Sequence, residues 1–451
     1  MNAEPMTRRR FLRTSTGAAL GVAVGATVLP SAGQVLGANE KLVVGVMGCG
    51  GRGQELARHL AQRPEVEIAY TSDPDSGRAE QAAKAVEGLQ GKRPQTTQDF
   101  RRILDDKDVD ALVSATPDHW HALATIMACQ AGKDVYVEKP ASHNIWEGRK
   151  VVEAARKYNR VVQVGLQNRS APYVRAAIDY LRAGKLGEVH LVRVLNMKTR
   201  SAVPAQPDGP VPEGVDYDLW LGAAPLRPFN PNHFHYSWHW FWDYSGGDII
   251  NDGVHQMDLA RWIMGLKYPK SVYATGGKYA YDDAQETPDT QHVLFDYDKL
   301  TMTFELTLWT PYMKKIPPEV RDSDLLPDWP FCATKVEVYG TKGLMMMGRH
   351  GGGWQVFGLD DQEVARQPGR QALKEHFDNF FECIKSRQRP NGDIEEGHMS
   401  TVLCHLGNIS YRVGCRKLQF DAASETFGDD KEANRLVKRT YRKPWVVPEK
   451  V

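Results

Sequence analysis

Leu42-Val43-Val44-Gly45-Val46-Met47 runs directly into Gly48-Cys49-Gly50-Gly51-Arg52-Gly53, and Gln54-Glu55-Leu56-Ala57-Arg58-His59-Leu60-Ala61 follows at once. An apolar run of buried-strand type, a G-x-G-x-x-G turn and a helix-like stretch in that order build a pyrophosphate cradle. The glycines make the turn and let the backbone approach the ligand, and the helix N-terminus offers unpaired N–H groups at the positive end of its dipole. A second strand, Val66-Glu67-Ile68-Ala69-Tyr70-Thr71-Ser72, ends in Asp73, twenty residues past Gly53. A carboxylate there accepts a hydrogen bond from a ribose 2′-OH and repels a 2′-phosphate. Gly48, Gly50, Gly51, Arg52, Gly53 and Asp73 are therefore candidate cofactor contacts. Asp73 favours NAD over NADP, with Arg78 as a counter-argument.

Working outward, strands keep alternating with helices. Asp110-Ala111-Leu112-Val113-Ser114-Ala115-Thr116 reads as a buried strand that breaks at Pro117-Asp118-His119-Trp120-His121. A helix over 122–132 leads to Lys133-Asp134-Val135-Tyr136-Val137 and then Glu138-Lys139-Pro140. A helix from Ile145 to Tyr158 precedes Val161-Val162-Gln163-Val164-Gly165. This alternation predicts a doubly wound parallel sheet, whose ligands bind beyond the carboxyl ends of the strands. Gly48, Asp73, Thr116 and Lys139 all fall at such ends, so separate motifs converge on one crevice.

The N-terminus carries a different signal. Thr7-Arg8-Arg9-Arg10-Phe11-Leu12-Arg13 precedes a Gly/Ala/Val run from Thr16 to Leu29, too short and glycine-rich for a membrane span. It resembles a twin-arginine export signal, with cleavage expected after Ala32 or Ala38 and a periplasmic or otherwise exported mature protein. Residues 1–38 hold four Arg and one Glu, leaving 53 basic and 55 acidic residues, a net charge of −2. That balance supports neither a nucleic-acid footprint nor an anionic-membrane one. The six cysteines (Cys49, Cys129, Cys332, Cys383, Cys404, Cys415) show no metal-ligand spacing and no disulfide framework. Cys49 in the glycine turn reads as packing.

The chain resembles the Gfo/Idh/MocA oxidoreductases. The matching pieces are the glycine turn, Thr116-Pro117-Asp118-His119-Trp120-His121, Glu138-Lys139-Pro140, Gly165-Leu166-Gln167-Asn168-Arg169 and Gly246-Gly247-Asp248-Ile249-Ile250-Asn251-Asp252-Gly253-Val254-His255-Gln256-Met257-Asp258, with Val336-Glu337-Val338-Tyr339-Gly340-Thr341-Lys342-Gly343 beyond. The resemblance implies an α/β fold, with an N-terminal NAD-binding Rossmann domain (39–165) and a C-terminal α/β domain (166–451) on a large, mostly antiparallel sheet. That sheet commonly makes an oligomer contact in the family, so a homo-oligomer is expected. The resemblance also implies hydride transfer between nicotinamide and a sugar or polyol carbon. It places Lys139, His255 and Asn251 at the catalytic centre, adds Thr116, Pro117, His119, His121, Glu138, Lys139 and Gln167 to the cofactor contacts, and gives Arg169, Asn251 and His255 to the substrate.

The chemistry agrees. Alcohol oxidation needs a group to take the hydroxyl proton, and a histidine, or a lysine of lowered pKa beside a cationic ring, can do so. The spacing around His255 predicts a helix opened by Gly246-Gly247, with Ile250, Val254, Met257, Ala260 and Met264 inward and Asn251, His255, Asp258 and Trp262 on an adjacent face. The family often has Asp where this chain has Asn251. Charge support for His255 would then come from Asp258 or Asp252, and Asp258 is expected to orient the ring.

Asn-His-Phe-His-Tyr-Ser-Trp-His-Trp-Phe-Trp-Asp-Tyr (232–244) suits sugar recognition, through Tyr236 and Trp238, but its alternating tryptophans also fit a buried strand. His233, His235 and His239 lack the carboxylates a metal site would need, and no metal is expected. An amphipathic helix around His376-Phe377-Phe380-Phe381-Cys383-Ile384 is predicted near the C-terminus, where His398 and His405 read as structural. The stretches 203–212 and 316–330 read as long loops. Three functions follow: an exported NAD-dependent carbohydrate oxidoreductase, a retained-NAD enzyme that cycles hydride internally (between two sugars, or to cleave a glycoside by oxidation at C3, elimination, hydration and re-reduction), or a silent sugar-binding protein. The Thr-His-Gly signature associated with the family's exported N-acetylgalactosaminidases is absent.

Overall fold

The computed structural model describes residues 41–451. The paired-arginine segment and the apolar run behind it lie outside the described residues. The quoted opening folds as strand β1 (Leu42–Met47), the glycine turn, and helix α1 (Gly51–Ala61). Five more strands complete the first sheet: β2 (Val66–Ser72), β3 (Gln95–Thr97), β4 (Ala111–Ser114), β5 (Asp134–Val137) and β6 (Val162–Val164). Their order is β3-β2-β1-β4-β5-β6 and every pairing is parallel. The strand order reverses beside β1 and β4, which opens a crevice at their carboxyl ends. Val44, Val46 and Val113 are fully buried, as expected for strands covered on both faces. Helices α2 (Ser76–Gln90), α3 (Asp118–Gln130) and α4 (Ile145–Lys157) make the crossovers. Asp75 caps α2 by accepting from Gly77 and Arg78 N–H, and Asn144 caps α4 by accepting from Glu147 N–H.

The second sheet has nine strands: β7 (Val189–Met197), β8 (Ser271–Gly277), β9 (Thr290–Asp296), β10 (Thr301–Thr307), β11 (Thr334–Gly340), β12 (Gly343–Gly348), β13 (Trp354–Phe357), β14 (Glu363–Gln367) and β15 (Leu418–Gln419). Only β7 and β10 pair in parallel; the other pairings are antiparallel. On its inner face Val192, Val194, Phe304, Met302, Val336 and Val338 pack against Val254, Met257 and Ala260 of helix α5 (Val254–Ile263). Alternate residues of β9 and β10 point away from that core.

Three local departures from expectation have physical causes. The segment before His255 is a π-helical turn (Ile249–Gly253) that feeds α5, so one inserted residue takes Asn251 off the ordinary helical spacing from His255. Residues Ser237–Trp240 form a short 3₁₀ turn rather than a strand, with Trp238 and Trp240 buried among other aromatics. Helix α6 (Leu373–Ser386), which lies in the C-terminal half of the sequence, inserts Phe377, Phe380 and Phe381 into the core of the first sheet. Phe377 stacks on Tyr136 of β5 at 4.5 Å between ring centroids. Each buried phenylalanine contributes roughly 2–3 kcal/mol, so α6 ties the chain's end to the cofactor sheet. All six cysteines are free thiols. Among the described residues no helix is long and apolar enough to cross a membrane.

Candidate active site

A cavity of about 480 Å³ opens at the carboxyl ends of β1, β2, β4 and β5 and extends to the start of α5 and the loop after β12. Gly48, at φ +84°, starts its floor; a Cβ there would lie 2.7 Å from the Ala115 backbone. A Cβ at Gly53 would sit 1.8 Å from the Gly48 carbonyl oxygen, so this position holds the turn against the helix. The N-cap of α1, Gly50, offers no side-chain hydrogen bond, and no acidic residue occupies the first turn. The N–H groups there are free for an anion. Asp73 closes the far end. Its carboxylate accepts from Cys49 N–H at 2.7 Å and Asp75 N–H at 2.9 Å, and burial pushes its pKa up to about 6. This is the cradle a dinucleotide requires, with diphosphate and ribose ends both provided.

The opposite wall holds the reactive side chains. The Lys139-Pro140 bond is cis. Lys139 Nζ donates to the Asn251 carbonyl oxygen at 2.7 Å, which joins the end of β5 to the π-helical turn. Burial lowers the Lys139 pKa below the usual lysine value, with Asp118 and Glu138 opposing. Burial also drives His255 well below the ordinary histidine value, reinforced by Arg349, His350 and Lys139. The rings of His255 and His350 meet edge-on at 5.0 Å. The Asn251 amide donates to Asp248 Oδ1 at 3.0 Å. Burial opposes ionisation of Glu138, but Arg52, whose Nε donates to it at 2.8 Å, and Lys139 hold its pKa below the usual carboxylate value.

Gly48, Gly50, Gly51, Arg52, Asp73, Thr116, Pro117, Glu138, Lys139, Gln167, Tyr236, Trp238, Asn251 and His255 all line the cavity. Gly53 supports it from behind. Three of the expected contacts do not face it. His119 is buried with Nε2 on the Trp220 carbonyl at 2.9 Å, and His121 bridges the Pro140 and Thr116 carbonyls at 2.6 and 3.0 Å. Both brace the loop instead of touching a ligand, because α3 turns them inward. Arg169, expected at the substrate, is 2 % exposed and locked to Asp258, with Nε 2.9 and 3.0 Å from the two carboxylate oxygens. Asp258 also accepts from Ser400 Oγ at 2.6 Å, so it holds Arg169 and does not orient His255. His233, His235 and His239 do not converge, and no group of metal-ligating side chains occurs among the described residues.

The structure adds residues that sequence reasoning passed over. Asp118 lines the cavity, accepts from Ser245 Oγ, and is pushed by burial to about 7 against the pull of Lys139. Its signal was its place directly after Thr116-Pro117. Arg349 and His350 arrive from the end of β12, followed by Gly351-Gly352-Gly353, all at positive φ. That triplet was the available signal: three consecutive left-handed glycines turn the chain sharply enough to swing both side chains into the cavity.

Comparison with known proteins agrees with this geometry. The model described as "Oxidoreductase family, NAD-binding Rossmann fold" matches residues 42–166, "GFO/IDH/MocA C-terminal domain" matches 223–346, and "Oxidoreductase family, C-terminal alpha/beta domain" matches 358–447. The chain belongs to the Gfo/Idh/MocA oxidoreductase family. Among the family's members, it is 25% identical over 253 residues to the rhizopine catabolism protein MocA of Rhizobium meliloti, covering 56% of this chain and 67% of that protein. It is 26% identical over 223 residues to scyllo-inositol 2-dehydrogenase (NAD(+)) of Bacillus subtilis, covering 49% and 54%. The chain thus spans about half to two thirds of these relatives' own length. The WlbA dehydrogenase of Bordetella pertussis, solved with NADH and UDP-GlcNAcA, shares the fold at a TM-score of 0.61 and 22% identity, covering 85% of this chain and 99% of that one. The matched N-terminal model is an NAD-binding one, and the cofactor is NAD.

Proposed function

We propose that the protein is an exported oxidoreductase that transfers hydride between bound NAD and a hydroxyl-bearing carbon of a sugar or polyol. The observation that carries this reading is the Lys139 amine, held by the Asn251 carbonyl in the same cavity as the glycine cradle and His255. Bound NAD supplies the hydride acceptor and donor. The proton is handled by the chain. Lys139, its ammonium disfavoured by burial, takes the hydroxyl proton and returns it in the reverse direction. His255 stays neutral and binds the same hydroxyl as a hydrogen-bonding partner, since Arg349 and Lys139 disfavour an imidazolium there. Asp118, poised near neutrality beside Lys139, is placed to exchange the proton onward. Trp238 and Tyr236 line the cavity and offer ring faces to a sugar, with Tyr236 fixed by Arg200 Nη1 at 2.9 Å.

The paired-arginine leader supports export, and export after folding favours a second reading in which NAD stays bound and the hydride is returned to a sugar without net turnover. Purified protein is to be incubated with NAD⁺ and a panel of sugars and polyols while NADH absorbance is followed, then with pairs of sugars without added cofactor. Turnover in either arm that Lys139→Ala abolishes supports the reading. Turnover that survives Lys139→Ala, or none with any carbohydrate, refutes it.

A further inference from the structure

The substrate end of the cavity carries more positive than negative charge. Apart from Asp118 and Glu138, which face Lys139, the carboxylates there are Asp252 in the lining and Asp248 behind it. Arg200 Nη2 lies 2.9 Å from Asp248 and 3.0 Å from Asp252, and Lys198 contacts both. Arg349 Nη2 lies 2.6 Å from Asp252, and Lys315 approaches it at 3.8 Å. Burial disfavours the Lys198 ammonium, so three cations, Arg200, Arg349 and Lys315, share two carboxylates. A fourth, Arg321, lines the same cavity and makes no ion pair with a carboxylate among the described residues. The Nε atoms of both Arg321 and Arg349 are buried without a hydrogen-bond partner, and Arg349 is 5 % exposed.

A buried guanidinium whose donors lack partners is costly unless an anion completes it, and a planar donor fork suits a carboxylate. The diphosphate of NAD has the N–H groups of the α1 N-terminus instead, and the arginine beside that turn, Arg52, is already balanced by Glu55 and Glu138 at 2.9 and 2.8 Å. The position is on the substrate side: Asp252 follows Asn251, which holds Lys139, and His350 follows Arg349 and meets His255.

We infer that the substrate is an acidic sugar and that Arg349 and Arg321 bind its carboxylate. The inference rests on the carbohydrate reading above and narrows it to uronic-acid chemistry. Asp252 then acts as a positioning residue that fixes Arg349.

The full-length, NAD-loaded protein is to be assayed with D-glucuronate and D-galacturonate beside glucose, galactose and glucose 6-phosphate. Binding of each is measured in parallel by calorimetry. The expected result is a kcat/KM or affinity for the uronates at least tenfold above their neutral parents. In Arg321→Gln that ratio falls towards one, mainly through KM, and the uronate's salt dependence weakens. Equal or better use of the neutral parents overturns the inference while leaving the dehydrogenase reading intact. Preference for the sugar phosphate over both uronates also overturns it. Tight uronate binding without NADH formation supports the inference and removes the dehydrogenase reading. A preference that persists unchanged in both Arg321→Gln and Arg349→Gln overturns it as well.

Discussion

Asp258→Asn separates two roles for a carboxylate three residues from His255. The side chain is 1 % exposed, and Arg169 reaches it with Nε at 2.9 and 3.0 Å and Nη2 at 2.7 Å. Removing the charge leaves a guanidinium that is only 2 % exposed with reduced compensation. Breaking such a pair costs roughly 3–5 kcal/mol. Two features place this case at the low end. Glu396 remains 3.1 Å from Arg169 Nη2, and the guanidinium lies 5.2 Å from the centre of the Trp262 ring. The variant is isosteric and can keep one accepting oxygen, so a loss of about 3 kcal/mol in unfolding free energy is expected. Equilibrium denaturation measures it, and activity per folded molecule is measured over the same pH range as wild type. Lower stability with an unchanged pH profile is expected. A variant of wild-type stability whose pH profile shifts would show that Asp258 acts on His255, and would refute the assignment.

Other outcomes follow from the same geometry. Lys139→Ala is expected to lower turnover roughly 10²–10⁴-fold with bound NAD retained, checked by steady-state kinetics beside cofactor titration. Because Lys139 is held below its usual value of 10.5, oxidation is expected to rise with pH and level off below that value; Lys139→Arg should remove this limb, whereas His255→Gln should keep it at a lower rate. Gly53→Ala forces a Cβ into a backbone oxygen 1.8 Å away, so NAD affinity should fall at least tenfold, read by fluorescence titration. Asp73→Ser should narrow the preference for NAD over NADP, since the carboxylate that repels a 2′-phosphate is gone, and the ratio of the two dissociation constants tests it.

Much of the cofactor half could be read directly from the chain, because its determinants are local. The glycine spacing, the strand before it and Asp73 depend on a turn and a parallel pair, both written within about thirty residues. The parallel sheet followed from the alternation of apolar runs with helical stretches, and five of its six strands form where that pattern put them; the short edge strand β3 (Gln95–Thr97) has no apolar run to announce it. The substrate half was less legible because it is assembled by long-range packing. Lys139 and Asn251 are joined across 112 positions, which brings in His255 just beyond, and Arg349 comes from still farther along. Asp258 does follow His255 by three positions on α5, but its carboxylate is taken by Arg169 and Ser400, 89 and 142 positions away, which helical spacing does not show. His119 and His121 were misplaced for another reason. Motif membership gives proximity to the crevice, but the rotation of α3 decides which side chains enter it.

The most direct test of the account is to denature purified protein, identify any released dinucleotide by mass, and titrate the refilled or empty protein with NAD. One NAD or NADH per chain is expected, or saturable NAD binding that Gly53→Ala weakens at least tenfold. A protein that releases no dinucleotide and binds no added NAD, with the fold intact by circular dichroism, would contradict it.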